Sequence, residues 1–429
     1  YKLRASLIAV NQVGLVKVNE EFFKWLEGHQ TMPLGENNRH VRLKLIDFDK
    51  LERNEFIITN QVRVHVRETK IPDIVCYVNG MPLVVGEVKT PIRPSISWLD
   101  GAAELHDIYE NSIPQLFVPN VLSFASEGKE LYYGAIRTPL DYWAPWRLEN
   151  DDEAIARRLG LGEIGKEISD LLKPERLLDI LQNFSLFSTN KRKRRIKIIP
   201  RFQQYEGANK IVARVKEGKH KKGLIWHFQG SGKSLLMVFA AQKLRRTPEL
   251  KSPTVLVLVD RTDLDTQISD TFNAADIPNV ETTDSIKELQ KLLRTDSRKI
   301  IISMIHKFRD APKNMNDRDN IIVLVDEAHR TQEGDLGLDM RAALPNAFLF
   351  GLTGTPVNKA DKNTFFAFGS EADEGGYLSR YTFHDSIRDD ATLPLHFEPR
   401  LVDVHVDKET LDKAFEAFKE EAALTDEEA

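Results

Sequence analysis

Residues 222–234 read Lys-Gly-Leu-Ile-Trp-His-Phe-Gln-Gly-Ser-Gly-Lys-Ser, and the fold is decided by how that stretch is built. An apolar run (Leu224, Ile225, Trp226) leads into a Gly-Ser-Gly loop, then Lys233-Ser234, then the apolar start of a helix over residues 235–241. Strand, glycine loop and helix in that order make a cradle for phosphate. Gly230 and Gly232 free the backbone so that successive N–H groups, that of Ser231 among them, can face one anion. The helix N-terminus adds its positive dipole end. Lys233 is placed to reach the β- and γ-phosphates of a nucleotide, and the Ser234 hydroxyl to take one Mg2+ position. The full phosphate-loop pattern asks for glycine where this chain has His227, so the match is to the second half of the motif. A helix-capping turn is the competing reading.

Downstream, four continuous apolar runs follow at 254–259, 300–303, 321–325 and 347–351, with helix-length segments such as 285–293 between them. Runs of that length suit parallel strands buried on both faces. Alternation with helices predicts an α/β doubly wound parallel sheet whose site lies at the carboxyl ends of the strands. The polar signatures fall there. The run at 321–325 ends in Asp326-Glu327-Ala328-His329, and that at 347–351 in Leu352-Thr353-Gly354-Thr355-Pro356. An acidic pair at the tip of a buried strand suits Asp326 as the Mg2+ holder and Glu327 as the activator of the attacking water. Either residue alone could instead cap the next helix. Hydrolysis of ATP or GTP is the expected chemistry.

Upstream, residues 15–29 carry apolar side chains at helical spacing, with Gly28 as a stop. Residues 42–48 and 56–66 alternate as half-buried strands do, and two more strands, 74–78 and 83–89, flank Asn79-Gly80, a strong hairpin signal. Helical text at 96–109 and strand text at 115–124 and 131–136 complete an α+β unit. The hairpin carries a second candidate site. Glu87 and Lys89 share one face of their strand, and folding back at Asn79-Gly80 returns them beside Asp73, which follows Pro72. Asp73 and Glu87 are hard oxygen ligands suited to Mg2+, and Lys89 could position a water or steady a pentavalent phosphate. Such a trio cuts phosphodiesters. Charged residues at exposed strand ends are the plainer explanation, weakened by the apolar Leu83, Val84 and Val85 that precede Glu87.

Composition narrows the class. The 429-residue chain is 29% charged and 41% apolar, as soluble globular proteins are, and is long enough for two or three domains. No apolar run reaches the roughly 20 residues a membrane span needs. Cys76 is the only cysteine, which excludes internal disulfides and Cys-ligated zinc and points to a reducing cytoplasm. Net charge is −5, yet residues 190–222 hold thirteen Lys or Arg against two Glu. A basic block in an acidic protein is the footprint of a phosphate-backbone contact, or else a solvated linker.

Gln-Gly-Ser-Gly-Lys-Ser, Asp-Glu-Ala-His and Leu-Thr-Gly-Thr-Pro in this order resemble motifs I, II and III of superfamily 2 helicase-like motors, and residues 259–264 resemble their motif Ia. With Asp73 and Glu87-Val88-Lys89 upstream, the chain resembles the restriction (motor and endonuclease) subunit of type I restriction–modification enzymes. The wording of residues 79–89, 226–229 and 381–385 is typical of that family. The resemblance implies a PD-(D/E)xK-type nuclease domain at 1–150, a helical and basic connector at 151–189, and a first RecA-like lobe at 190–365. It implies the start of an incomplete second motor lobe at 366–429, without motifs IV–VI, in a longer parent protein. It also implies that Gln204 reads adenine and that His329, Thr353 and Thr355 line the ATP site. The implied partners are double-stranded DNA and the modification and specificity subunits of the complex. The family places a glutamine four residues before a tyrosine beyond the nuclease lysine, whereas here Glu104 stands five before Tyr109. A helicase or remodelling motor whose N-terminal domain binds DNA without cutting it, and a module that tethers a motor to partner subunits, are the competing functions.

Overall fold

Asn79 and Gly80 both take positive φ, 50° and 76°, the pair of left-handed residues that a two-residue hairpin turn needs. They close the hairpin at the centre of the first sheet. Numbering the strands of the main sheets and their connecting hairpin in chain order, this sheet holds β1 (Phe56–Asn60), β2 (Ile74–Val78), β3 (Met81–Val88), β4 (Leu122–Ser126), β5 (Leu131–Gly134) and β6 (Ala144–Pro145). Their order is β6-β5-β4-β3-β2-β1. Only β3 and β4 run parallel. Helix α1 (Leu15–Leu26) buries Leu15, Val18, Phe22, Phe23 and Leu26 at the expected spacing. The crossover from β3 to β4 contains helix α2 (Trp98–Ala103), which continues into a π-helical turn over Glu104–Tyr109.

The computed structural model describes residues 2–34, 39–66, 68–148, 160, 162–259, 269, 271–273, 275, 277–283, 285–308, 311–328, 336–357, 364–394 and 413–414. Tyr1–Thr392 form one compact unit and Leu393–Ala429 another. Among the described residues no helix is long and apolar enough to cross a membrane.

One expected strand is absent and another starts late. Residues 43–50 form none, because Asp47 Oδ1 accepts from the N–H groups of Asp49 and Lys50 and Asn54 brackets the Asp47 backbone. Such local side-chain bonds compete with ladder pairing. Pro114–Phe117 is a 3-10 turn, and the strand there begins only at Leu122.

A hairpin of β7 (Leu186–Thr189) and β8 (Arg195–Ile198) leads to the second sheet. Helix α3 (Phe202–Glu217) then precedes β9 (Lys222–His227), and helix α4 (Lys233–Arg246) follows it. The remaining strands are β10 (Thr254–Val259), β11 (Val280–Thr282), β12 (Ile300–Met304), β13 (Ile321–Val325), β14 (Phe348–Thr353) and β15 (Ser379–Tyr381). The order is β11-β12-β10-β13-β14-β9-β15, all parallel. Val255, Val257, Ile322 and Leu324 enter one apolar core, while Leu256, Leu258, Val323 and Val325 enter a second. Alternate side chains thus fill both faces, as a doubly wound sheet requires. One finding departs from expectation. Residues 379–381, read as lying beyond this lobe, pair with Ile225–His227 and form the edge of its own sheet. Three residues are too few to carry a strand signal without their neighbour.

Gly86 lets β3 lie against Phe124, whose ring would stand 2.2 Å from an added Cβ. Gly86→Ala is expected to lower the thermal unfolding midpoint, since overpacking costs about 1–3 kcal/mol. Gly162→Ala, where a Cβ meets nothing within 4 Å, should leave the midpoint nearly unchanged.

Candidate active sites

The pairing of Ile74 with Gly86 sets Asp73 directly beside Glu87. The Val88 N–H donates to Asp73 Oδ2 at 3.0 Å, and the Asp73 N–H lies 3.4 Å from Glu87 Oε2. Lys89 Nζ donates to Glu87 Oε1 at 2.9 Å and also to Glu104 Oε2. The Tyr109 hydroxyl donates to the other Glu104 oxygen at 2.8 Å. The structure therefore brings together the three residues expected here and adds two more. Glu87 is only 3% exposed, and burial pushes its carboxyl up to about 7 against the pull of Lys89. Burial also raises Glu104, but hydrogen bonds from Lys89 and Tyr109 outweigh it and hold that carboxyl below its ordinary value. Lys89 is drawn down by burial, yet its bonds to Glu104 and Glu87 win and keep the ammonium charged.

Glu104 and Tyr109 are five residues apart, too many to share one face of an α-helix. The π-helical turn over Glu104–Tyr109 resolves this. Its wider ring aligns residues five apart and absorbs the extra residue. The spacing alone conceals the pair, because helical text offers no mark of a π turn. An acid five residues before a tyrosine just past the lysine was the available signal.

In the second site, Gly230 and Gly232 both stand at φ 86°. Gln204 Oε1 accepts from the Arg201 N–H at 2.9 Å, and its Nε2 donates to the Gly232 carbonyl at 3.1 Å. An added Cβ on Gly232 would lie 2.2 Å from Gln204 Nε2. Gln204 is thus packed against the phosphate loop from the first turn of α3. Lys233 Nζ lies 3.9 Å from Glu327 Oε1, and a Cβ on Gly354 would stand 3.6 Å from Lys233 Nζ. The tips of β9, β13 and β14 therefore converge on the lysine. Thr353 Oγ1 accepts from the Thr355 N–H at 3.1 Å and shapes that third tip. Glu327 adopts φ 47°, a strained backbone of the kind that collects at reacting centres. His329 and residues 260–264 lie outside the described residues. His227, standing where the motif asks for glycine, is fully buried. Its Nε2 meets Ser379 Oγ at 2.9 Å, which ties the loop strand to β15. Burial drives its imidazole down to about 3, so it stays neutral.

Among the described residues no three His, Cys, Asp or Glu side chains form a metal cage. Mg2+ does not need one, since it keeps several waters and takes one or two carboxylates plus substrate phosphate. The adjacent Asp73 and Glu87 fit that demand. So does Asp326, whose buried Oδ1 has no hydrogen-bond partner among the described residues and whose carboxyl burial pushes up to about 6. An acceptor left bare in that way suits a cation.

The phosphate loop, acidic strand tip and all-parallel sheet define an ATPase lobe. Residues 203–428 match the SWI2/SNF2 ATPase family, and the chain belongs to that family. Residues 2–142 match the type I restriction enzyme R protein N terminus. The chain is 34% identical over 416 residues to the HindI type I restriction enzyme endonuclease subunit of Haemophilus influenzae, covering 90% of this chain and 39% of that one. It is 31% identical over 412 residues to the putative type I restriction enzyme MjaIXP endonuclease subunit of Methanocaldococcus jannaschii, covering 89% and 38%. The chain thus spans well under half the length of these relatives. A solved fragment of a putative HsdR subunit of a type I restriction enzyme from Vibrio vulnificus is 19% identical, with 77% of this chain and 56% of that one covered. Its TM-score is 0.32.

Lys233→Ala is expected to abolish binding of a fluorescent ATP analogue, followed by anisotropy. Gly232→Ala should weaken it on the order of tenfold or more, because a side chain at that φ carries about 1–3 kcal/mol of strain. Unaltered binding by both would place the nucleotide elsewhere.

Proposed function

We propose that this chain is the nuclease and first motor portion of the endonuclease subunit of a type I restriction enzyme, and that the whole protein translocates and cuts double-stranded DNA at the expense of ATP. It would work in a cytoplasmic complex with modification and specificity subunits, which supply the choice of sequence. The observation that carries the reading is the convergence of Asp73, Glu87 and Lys89 at the end of a buried strand, in the same chain as an ATPase lobe.

Asp73 and Glu87 would hold one Mg2+, and Ser234 with Asp326 another, where the cation supplies charge neutralisation at phosphate and a lowered pKa for attacking water. The protein's own groups do the rest. Lys89, kept charged by Glu87 and Glu104, offers its ammonium to the phosphate oxygen that gains charge or orients the attacking water. Glu104, held by Tyr109, fixes the position of that ammonium. In the second site Lys233 reaches for the terminal phosphates, Gln204 presents its amide to adenine, and Glu327 orients the hydrolytic water. Thr353 and Thr355 complete the lining, and the family resemblance would add His329.

In the assembled enzyme, Asp73→Ala, Glu87→Ala and Lys89→Ala are each expected to abolish cleavage of supercoiled plasmid while DNA-stimulated ATP hydrolysis persists. A double variant should be no worse than a single one, because residues acting as a unit are non-additive. Cutting retained by Glu87→Ala would place the nuclease metal elsewhere and favour a motor with a DNA-binding but non-cutting N-terminal domain. Thermal melts beside the assay exclude simple unfolding.

A further inference from the structure

The basic block is not a loose linker. Residues Lys191, Arg192, Lys193 and Arg194 form the tip of the β7–β8 hairpin, and all four are exposed. Asn190 orders the turn: its Oδ1 accepts from the N–H groups of Arg192 and Arg194, both at 3.0 Å, and its carbonyl accepts from the Lys193 N–H at 2.8 Å. The base of the hairpin is fastened to the N-terminal domain. Arg195 makes a two-pronged bond to Glu20 of α1, with Nε and Nη2 at 2.9 and 2.6 Å. Lys197 is buried, donates to the Asn120 carbonyl at 2.6 Å and sits 4.0 Å from the centre of the Phe23 ring. Phe187 packs edge-on against that same ring.

Stability does not account for the tip. Lys193 holds φ 57°, a left-handed position where glycine or asparagine is at ease and a long side chain is strained. Four like charges stand side by side, and among the described residues none of the four has an ion pair or a side-chain hydrogen bond. A turn shaped only by folding would carry glycine at 193 and at least one acid. Four unneutralised cations on a rigid mount are what a polyanion with closely spaced charges recognises.

We infer that the Lys191–Arg194 hairpin tip is a phosphate-backbone contact for duplex DNA, carried by the nuclease half of the molecule. The inference rests on the DNA-cutting reading above. The strand registers place the mount away from the chemistry. Asn120, which receives Lys197, immediately precedes Val121, whose N–H donates to the Leu83 carbonyl near the start of β3, while Glu87 pairs with Ala125 at its far end. The tip therefore holds duplex flanking the scissile bond. Its grip carries no sequence information, as befits a protein whose sequence choice lies in another subunit.

The test is the salt dependence of binding. The full-length subunit is titrated into a fluorescein-labelled duplex lacking any recognition site, as wild type and as K191Q/R192Q/R194Q. The log–log salt slope should become shallower by roughly 0.9 for each phosphate that is no longer neutralised, hence by about 2–3 for the triple variant. K193G separates binding from folding. Glycine relieves the left-handed strain and raises the melting temperature, while the slope falls by about one. A wild-type slope in both variants overturns the inference. So does unchanged DNA binding with failed assembly onto the partner subunits, which would assign the tip to an acidic protein surface. If wild type itself binds no duplex, the DNA-cutting reading fails with it, a result distinguishable from failure of the variants alone.

Discussion

A carboxylate buried at the end of an apolar strand is the constraint on which the N-terminal half depends. Glu87 follows Leu83, Val84 and Val85, which have no exposure, and is itself nearly sealed from solvent. Desolvating an ion costs several kcal/mol unless an opposite charge and hydrogen bonds replace the water. Lys89 supplies the charge from two residues along the same face, and Glu104 braces Lys89 from the crossover helix. The arrangement tolerates no slip in register, because a shift of one residue would turn Glu87 to the opposite face. Asn79-Gly80 closes the turn, and the bulge between Cys76 and Tyr77 then shifts the pairing by one residue, so that Ile74 pairs with Gly86 and Asp73 comes opposite Glu87.

Where the sequence was legible, one element contained its own signal. The buried runs of the parallel sheet, the Asn-Gly turn and the glycine loop each announce themselves through local composition, and the structure has each of them within a residue or two of its expected span. Illegible features needed a partner. The edge strand Ser379–Tyr381 exists because Ile225–His227 leaves an open ladder beside it. The π turn that joins Glu104 to Tyr109 turns their side chains toward Lys89 and the Ile71 carbonyl, partners distant in sequence. Residues 191–194 read as a charge run, and only the strands on either side, anchored through Lys197 and Arg195, make them the tip of a hairpin. At 43–50 the alternation was real, but Asp47 and Asn54 engaged the backbone donors in a turn.

The two halves share more than a covalent link. One apolar core runs from Leu15 and Phe23 through Phe124, Trp146 and Phe184 to Phe239, Phe350 and Leu378. Tyr133 of β5 is buried and donates to the Pro200 carbonyl, next to the Arg201 N–H that Gln204 holds. Arg147 reaches Asp389, which also accepts from Tyr381 at the edge of the ATPase sheet. Polar bonds at both ends of a continuous core fix orientation as well as distance.

That joint constrains how such a protein could work. A motor converts nucleotide binding into movement of one body against another. Residues 1–392 form one unit, and the first sheet and the phosphate-loop sheet share a continuous apolar core. Parting them would expose Trp146, Phe184 and Tyr205, which pack in one aromatic chain between the halves. Under the proposed function, the nuclease therefore rides as a fixed passenger on the first motor lobe. On that reading the stroke would be taken against a second body, and the timing of cleavage would come from how DNA is presented to Asp73, Glu87 and Lys89, not from a hinge between the two sites.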